Sequence, residues 1–291
     1  MSELVCKGIC KKYKEKEVIK NIDLTLESGK IYGLIGRNGA GKTTLLSLLS
    51  SQNPVSGGEI TYNGQNIWEN KEALKHICFS RELNPTSNNG VGTLKIKDYL
   101  KTASIYLPGW DSAMAERLVS EFELDVKQRM GKISKGMLSM VTIIVALASK
   151  AEYTFLDEPV SGLDVVMREY FYKILLEEYA ESGRTFLIST HIIEEAASVF
   201  EEVIMIKKGE LLLKENAEEL VSRAFHVSGK AEEVDAATEG LLKHQVENHG
   251  RSKGLTVLLE PGQQIREGYD IKIQSLNLQN VFVALCGIGE K

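Results

Sequence analysis

The eight residues from Gly36 to Thr43 constrain the fold of this chain more than any other segment. They read GRNGAGKT, fit the pattern G-x-x-x-x-G-K-[S/T], and lie between an apolar predicted strand (IYGLIG) and a predicted helix (KTTLLSLLSS). Glycines let the backbone wrap so that its N–H groups point at phosphate oxygens, and the helix N-terminus adds positive potential. The segment predicts a phosphate-binding loop in an α/β unit, and the expected contacts are Asn38, Gly39, Ala40, Gly41, Lys42, Thr43 and Thr44.

Two side chains of this loop and two later carboxylates carry the predicted chemistry. Lys42 is expected to reach the β- and γ-phosphates, and the Thr43 hydroxyl is expected to bind Mg²⁺. The segment YTFLDE is a predicted strand that ends in Asp157 and Glu158. Alone it would be an ordinary buried strand with a solvated acidic end. Beside a phosphate loop, it predicts that Asp157 holds Mg²⁺ through water and that Glu158 polarises the attacking water.

Hydrophobic patterning divides the chain into four stretches. Residues 1–35 predict strands, and a polar loop from about 83 leads into predicted helices at 95–106, 112–123 and 135–149. From 152, apolar strands alternate with amphipathic helices, which predicts a mainly parallel sheet. After about 222, short strands and helices predict a small separate α+β module. We therefore predict domains at 1–220 and 221–291, with a helical subdomain at about 83–150.

Composition narrows the class of protein. The 291 residues carry a formal net charge of −5, which argues against a general nucleic-acid binder. The longest apolar run, from Val141 to Ala148, is far too short for the roughly 20 residues that span a bilayer. The four cysteines form no CxxC pair and have no histidine at metal spacing, so we expect small buried thiols in a reducing compartment. These features predict a soluble cytosolic chain.

Three further motifs flank the Asp–Glu strand. Ile133-Ser134-Lys135-Gly136-Met137 lies upstream and opens a helix, Ser161-Gly162-Leu163-Asp164 follows, and His191 ends the next strand. In this order, the motifs resemble the nucleotide-binding subunit of an ABC transporter over roughly residues 1–220. The resemblance implies an α/β fold: a P-loop NTPase ABC ATPase core with a helical subdomain, followed by the small C-terminal module. It also implies ATP and Mg²⁺ as ligands.

The family's dimer implies further roles for residues outside the phosphate loop. ABC ATPases are head-to-tail dimers in which each ATP lies between one phosphate loop and the partner's signature motif. Ser134 and Gly136 would thus contact the γ-phosphate across the interface, and Asp164 would align the partner's site. His191 would touch the γ-phosphate and hold Glu158 and the water. Tyr13 would stack on adenine, although a half-exposed strand tyrosine is the alternative.

Two positions depart from the family pattern. The usual signature is Leu-Ser-Gly-Gly-Gln, whereas Lys135 here follows the serine; it is either a tolerated surface lysine or a partner for the opposing phosphate. The glutamine that usually ends the middle strand and contacts Mg²⁺ aligns with Glu82. We expect Glu82 to accept hydrogen bonds from metal-bound water, with Arg81 partly offsetting its charge.

The resemblance predicts the ATP-hydrolysing subunit of an ABC transporter at the cytoplasmic face of the cell membrane. It would work with a separate transmembrane permease subunit, as a homodimer or with a paralogous ATPase, and Leu83–Gly92 would line the docking groove. The signature and the tail LNLQNVFV resemble bacterial export-type cassettes, and FSRE resembles the phenol-soluble modulin exporter group. The C-terminal module would aid dimerisation or regulation, or be a passive stabilising appendage. The alternatives are a soluble non-transport ABC ATPase and a degenerate cassette that binds ATP without hydrolysis.

Overall fold

The computed structural model describes residues 2–85 and 90–287. Its N-terminal part forms an antiparallel four-stranded sheet in the order β2-β1-β4-β5. Asn63 and Gly64 both have positive φ, as a tight hairpin turn between β4 and β5 requires. The strands of this sheet are β1 (Glu3–Tyr13), β2 (Lys16–Glu27), β4 (Gly57–Tyr62) and β5 (Gln65–Asn66).

The central sheet has six strands in the order β10-β9-β3-β8-β7-β6. All neighbours pair in parallel except β10, which is antiparallel to β9. The strands are β3 (Ile31–Ile35), β6 (Ile77–Arg81), β7 (Tyr153–Asp157), β8 (Thr185–Ser189), β9 (Glu202–Lys207) and β10 (Glu210–Asn216). Every residue of β3, β7 and β8 is buried, as expected for parallel strands covered on both faces. The predicted α/β fold is confirmed.

Four helices flank the central sheet and its connections. They are α1 (Lys42–Leu49), α2 (Lys71–Leu74), α6 (Val165–Ser182) and α7 (Ile193–Ala196). Helix α1 follows β3 directly and packs against β7 and β2. The carboxyl ends of β3, β7 and β8 therefore meet at one edge of the sheet, together with the start of α1.

Among the described residues between β6 and β7, three α-helices occupy the region where the helical subdomain was predicted. They are α3 (Ile96–Tyr106), α4 (Ser112–Glu121) and α5 (Lys135–Ala148). Helix α5 packs against α3, α4 and β6, and most of its residues are buried. Of the expected docking segment Leu83–Gly92, residues 86–89 lie outside the described part of the chain.

The C-terminal part has its own antiparallel sheet, in the order β12-β13-β11-β14. Its elements are α8 (Ala217–Ser222), β11 (Ala224–Lys230), α9 (Ala231–Ala237), β12 (Lys243–His249), β13 (Ser252–Leu258), β14 (Ile271–Ser275) and α10 (Leu278–Cys286). Helix α10 packs against α7 and α8, so this part shares a core with the central sheet. The boundary predicted at 220/221 falls inside α8. In the described residues, no helix combines the length and apolar character needed to cross a membrane.

Candidate active site

A cleft of about 320 Å³ lies at the carboxyl edge of the central sheet, over the N-terminus of α1. The lining residues are Lys16, Val18, Asn38, Gly39, Gly41, Lys42, Thr43, Thr44, Asp157 and Glu158. Among the predicted phosphate contacts, Ala40 is the exception. It is buried, and its N–H donates to the Arg37 carbonyl at 2.9 Å, which holds it inside the loop.

Steric crowding explains two of the loop's glycines. A Cβ on Gly36 would lie 2.7 Å from the Ile206 carbonyl oxygen, so the loop runs against β9 with no room for a side chain. Gly41 combines a φ of +111° with contact to Ile19, whose Cδ1 would lie 2.9 Å from an added Cβ. The N–H of Gly209 also donates to the Ala40 carbonyl, which ties the loop to the β9–β10 turn. The loop is therefore held in shape by the protein itself.

Lys42 is the buried cation of the cleft. Its ammonium donates to the Gly36 carbonyl at 2.7 Å and lies 3.9 Å from Glu158 Oε1. The side chain thus folds back over its own loop, between the loop backbone and the carboxylate. A phosphate entering the cleft would meet a positive charge already positioned there.

Thr43 and Asp157 meet across the floor of the cleft. The Thr43 hydroxyl donates to Asp157 Oδ2 at 2.7 Å, and the Ser189 hydroxyl donates to Oδ1 at 2.5 Å. A hydroxyl and a carboxylate are hard oxygen ligands that fit Mg²⁺, which takes its remaining ligands from water and phosphate. No group of three or more His, Cys, Asp and Glu residues that could hold a metal occurs in the described residues. The two oxygen donors of Thr43 and Asp157 fit a Mg²⁺ that takes its other ligands from nucleotide and water.

Glu158 and His191 form the second polar pair. His191 Nδ1 lies 2.6 Å from Glu158 Oε2, and the His191 N–H donates to the same oxygen at 3.3 Å. Glu158 has a φ of +51°, a conformation that costs energy for a residue with a side chain. Its own N–H donates to the Ser189 carbonyl at 3.0 Å, which holds this strained turn in place. The two side chains thus hold each other in place, with Glu158 in the cleft lining and the more exposed His191 outside it.

The signature and SGLD motifs form a separate cluster. Ser134 caps α5 by accepting a hydrogen bond from the Met137 N–H at 3.1 Å, and Asp164 caps α6 by accepting one from the Met167 N–H at 2.9 Å. A Cβ on Gly136 would lie 2.7 Å from the Gly162 carbonyl oxygen, so the two motifs are packed tightly. None of the predicted residues Ser134, Lys135, Gly136 and Asp164 lines the cleft of its own chain.

Tyr13 and Glu82 also lie outside the cleft lining as far as the chain is described. Tyr13 is half-exposed beside the cleft, paired in register with Lys16, and Lys11 Nζ lies 5.0 Å from its ring centroid. Glu82 forms an ion pair with Lys135 at 2.9 Å, so the structure does not bring it to Thr43 and Asp157. Its expected counter-ion, Arg81, is replaced in this contact by Lys135.

A family model of ABC transporters matches residues 19–161, from β2 through the phosphate loop to the Asp157–Glu158 turn. The chain has an ABC transporter ATP-binding domain. The predicted ABC ATPase core, with ATP as its nucleotide, is therefore confirmed.

Similar proteins carry names of the same family. The ABC transporter ATP-binding protein YtrB of Bacillus subtilis is 28% identical over 62% of this chain and 60% of its own length. An uncharacterized ABC transporter ATP-binding protein of Nostoc is 32% identical over 73% of this chain and 64% of its own length. The manganese transport system ATP-binding protein MntB of Listeria monocytogenes is 29% identical over 69% of this chain and 85% of its own length. The chain thus spans about 60% of the length of the first two relatives.

Solved ABC cassettes share the fold. An ATP-binding subunit of an ABC transporter superposes with a TM-score of 0.64 at 24% identity, covering 75% of this chain and 92% of its own. A dimeric cassette in a post-hydrolysis state with ADP and Pi superposes with a TM-score of 0.63 at 23% identity, covering 73% of this chain and 98% of its own. These likenesses support the architecture of the ABC domain described above.

Several residues of the ABC domain's cleft were missed by sequence reasoning. Lys16 and Val18 line it because the β1–β2 turn folds over the phosphate loop. Ser189 reaches Asp157 because the two residues pair in register at the ends of β7 and β8. The Ser-Thr-His sequence at the end of β8 was the available signal for Ser189.

Behind Glu158, helix α6 contributes two buried polar groups. The Tyr172 hydroxyl and Arg168 Nε have no hydrogen-bond partner among residues 2–85 and 90–287. Burial raises the pKa of Tyr172, and the carboxylates of Glu195 and Glu158 raise this pKa further. The Arg168 guanidinium also lies 3.3 Å from Glu195, so it ties α6 to α7 just after His191.

Proposed function

We propose that this chain is the ATP-hydrolysing subunit of an ABC transporter and powers export through a separate transmembrane subunit. The observation that carries this proposal is the pairing of Thr43 with Asp157 on one side of Lys42 and of Glu158 with His191 on the other. Lys42, Thr43, Asp157 and Glu158 line one cleft, and His191 contacts Glu158, which counts against a degenerate cassette.

The cleft would bind ATP through the phosphate loop. Backbone N–H groups around Gly39 and the N-terminus of α1 would face the phosphates, and Lys42 would turn from the Gly36 carbonyl to the β- and γ-phosphates. Thr43 and Asp157 would hold Mg²⁺, which neutralises charge on the phosphates. Tyr13 would stack on adenine beside Lys16. Glu82 would reach the metal only after leaving Lys135.

Hydrolysis would follow from the Glu158–His191 pair. Glu158 would accept a proton from a water whose oxygen attacks the γ-phosphorus, and the bond from that phosphorus to the β-phosphate oxygen would break to release ADP and phosphate. His191 would orient Glu158 and contact the γ-phosphate. Because both side chains are already hydrogen-bonded, little reorganisation would precede the reaction.

A second cassette would complete the site. Ser134, Lys135, Gly136 and Asp164 lie outside the cleft of their own chain, which supports contacts with a partner's ATP instead. The working assembly would be a homodimer or a pair with a paralogous ATPase, peripheral to a permease at the cytoplasmic face of the membrane. The net charge of −5 disfavours nucleic acid as a partner.

Export of an amphipathic peptide, toxin or antibiotic is the finer part of the proposal. It is supported by the resemblance of the Ile-Ser-Lys-Gly-Met signature, the Phe-Ser-Arg-Glu loop and the C-terminal tail to bacterial export-type cassettes. The name of one relative, MntB, refers instead to manganese transport. The cargo and the direction therefore need a direct test.

The first test is affinity capture from detergent-solubilised membranes with the tagged Glu158→Gln variant, ATP and Mg²⁺. The variant should bind ATP and hydrolyse it about 10²–10⁴-fold more slowly, because the general base is lost. A protein with several membrane spans should be recovered in an ATP-dependent manner. Recovery of ribosomes, nucleic acid or soluble proteins alone would establish the non-transport ABC ATPase instead. Glu194→Gln, an exposed change on α7, is the matched control.

The second test addresses direction. The captured complex is placed in vesicles with the ATPase facing outward, and an amphipathic peptide is supplied outside with ATP. Export corresponds to ATP-dependent accumulation of the peptide inside the vesicle. In vesicles loaded with manganese, ATP-dependent loss of the metal with no movement of the peptide would contradict the export assignment while leaving the ATPase assignment intact.

A further inference from the structure

The two residues that depart from the family pattern contact each other in this chain. Lys135 Nζ lies 2.9 Å from Glu82 Oε1, and both side chains are about half exposed. Glu82 directly follows β6, whereas Lys135 is the first residue of α5. The ion pair therefore links the end of a central strand to the start of the signature helix.

Lys135 occupies an electrostatically unfavourable place when no anion is near. Unpaired N–H groups give a helix N-terminus positive potential, and a lysine there adds to it. Glu82 supplies the compensating negative charge. The neighbouring Gly136 packs on the Gly162 carbonyl, so the backbone beneath Lys135 is fixed and its flexible side chain is the part that can change partners.

Glu82 leaves the central sheet at the same edge as Glu158, although its side chain does not line the cleft. Arg81 pairs in register with Asp157, so the residue after each, Glu82 and Glu158, emerges at the same edge of the sheet. A Glu82 side chain released from Lys135 would add a negative charge near Asp157 and Glu158. The ion pair with Lys135 thus holds that carboxylate away from the other two.

We propose that Glu82 is an internal counter-ion that occupies Lys135 until the γ-phosphate of an ATP bound by a second cassette replaces it. This inference rests on the proposed function, because it requires an ATP-dependent dimer. Closure of the dimer then transfers Lys135 from a carboxylate of its own chain to the partner's nucleotide. The same step frees Glu82 to accept hydrogen bonds from the water around Mg²⁺ in its own cleft.

The exchange lowers the affinity of the dimer, since breaking the Glu82–Lys135 pair costs energy. For an ion pair of this exposure the cost corresponds to a roughly two- to fivefold effect on an equilibrium constant. High salt screens exposed charges, so the effect should shrink at about 1 M salt, where the screening length is only about 3 Å. Binding of ATP to the single chain should be unaffected.

The test is a double-mutant cycle on the full chain in the hydrolysis-deficient Glu158→Gln background. The dissociation constant of the ATP-bound dimer is measured by sedimentation for four proteins: the background, Glu82→Gln, Lys135→Met and the double variant. Glu82→Gln should tighten the dimer two- to fivefold. Lys135→Met should weaken it, and Glu82→Gln should have no effect once Lys135 is absent. Glu72→Gln, which removes the exposed pair with Lys75, is the matched control.

This design distinguishes failure of the proposed function from failure of the inference alone. If the Glu158→Gln background fails to dimerise with ATP, the proposed function and the inference are both overturned. If the background dimerises but Glu82→Gln changes nothing, or acts equally with and without Lys135, only the inference is overturned. A fluorescent ATP analogue checks that each variant still folds and binds nucleotide.

Discussion

His191 contacts Glu158 through both its ring and its backbone: Nδ1 lies 2.6 Å from Oε2, and the N–H donates to the same oxygen at 3.3 Å. One carboxylate oxygen is therefore fixed by the histidine, while Oε1 lies 3.9 Å from Lys42. These contacts fix the orientation of the Glu158 carboxylate in the cleft.

His191→Ala should reduce ATP hydrolysis on the order of 10²-fold, because Glu158 loses the group that orients it. ATP binding should change little, since the phosphate loop and Lys42 are untouched. Phosphate release and nucleotide affinity are measured on the same preparation. Equal losses in both would show that His191 acts by supporting the cleft as a whole. His76→Ala, which changes the residue just before β6, provides the control.

Gly41→Ala should abolish tight ATP binding. The change forces a side chain onto a residue with φ +111° and pushes its Cβ to within 2.9 Å of Ile19 and 3.2 Å of the Val18 carbonyl oxygen. Gly64→Ala carries the same kind of backbone penalty, about 1–2 kcal/mol, at a φ of +76° with no atom within 4 Å. If both variants lose ATP binding equally, general destabilisation rather than loop geometry is the cause.

Tyr13→Ala should weaken ATP binding about fivefold, since an aromatic stacking contact is worth about 1 kcal/mol. Tyr13→Phe should retain full affinity because the ring, not the hydroxyl, makes the contact. Tyr106→Ala removes another exposed tyrosine, at the end of α3, and should leave binding unchanged. Titration with a fluorescent nucleotide measures all three, and wild-type affinity in Tyr13→Ala would exclude the stacking role.

Arg184→Met should lower the free energy of unfolding by about 3–5 kcal/mol. Arg184 Nε lies 3.1 Å from the buried Glu178 carboxylate, and its Nη2 donates to the Leu147 carbonyl at 2.8 Å. Burial lowers the pKa of Arg184, whereas Glu178 raises it. Removing the arginine leaves Lys150 as the remaining partner of Glu178 among the described residues.

The control for that variant is Arg117→Met. Arg117 is exposed and lies 3.9 Å from Glu121, so its loss should change the free energy of unfolding by no more than about 0.5 kcal/mol. Urea denaturation followed by circular dichroism measures both proteins. A similar small effect in both would mean that the buried ion pair does not stabilise the fold.

Features that depend on residues close together in the sequence could be predicted from it. The phosphate loop, the Asp157–Glu158 turn and the three helices after β6 each depend on neighbouring residues. Strand β10 and helix α8 were missed, because Glu210–Ser222 mixes charges into its apolar positions. In the region from 152, where amphipathic helices were predicted between strands, the helix after His191 spans only Ile193–Ala196 and continues as a 3₁₀ turn, and no side chain caps its start.

Contacts between distant segments could not be predicted in this way. The hydrogen bond from Ser189 to Asp157 depends on the register between β7 and β8, which no local pattern specifies. The ion pair of Glu82 with Lys135 depends on how α5 packs against β6. In both cases the residue types indicated chemistry, but only the packed sheet determined the partners.

Because α10 packs on α7, a dye attached to α10 could report changes in the cleft. Helix α7 begins two residues after His191 and packs against α10, where Val283 is partly exposed. We therefore expect a movement of His191 toward nucleotide to displace α10. Cys6, Cys78 and Cys286 are buried, and burial raises the pKa of the Cys6 and Cys78 thiols. Replacing Cys10 and placing a dye on Val283→Cys would therefore let the tail report nucleotide occupancy in real time.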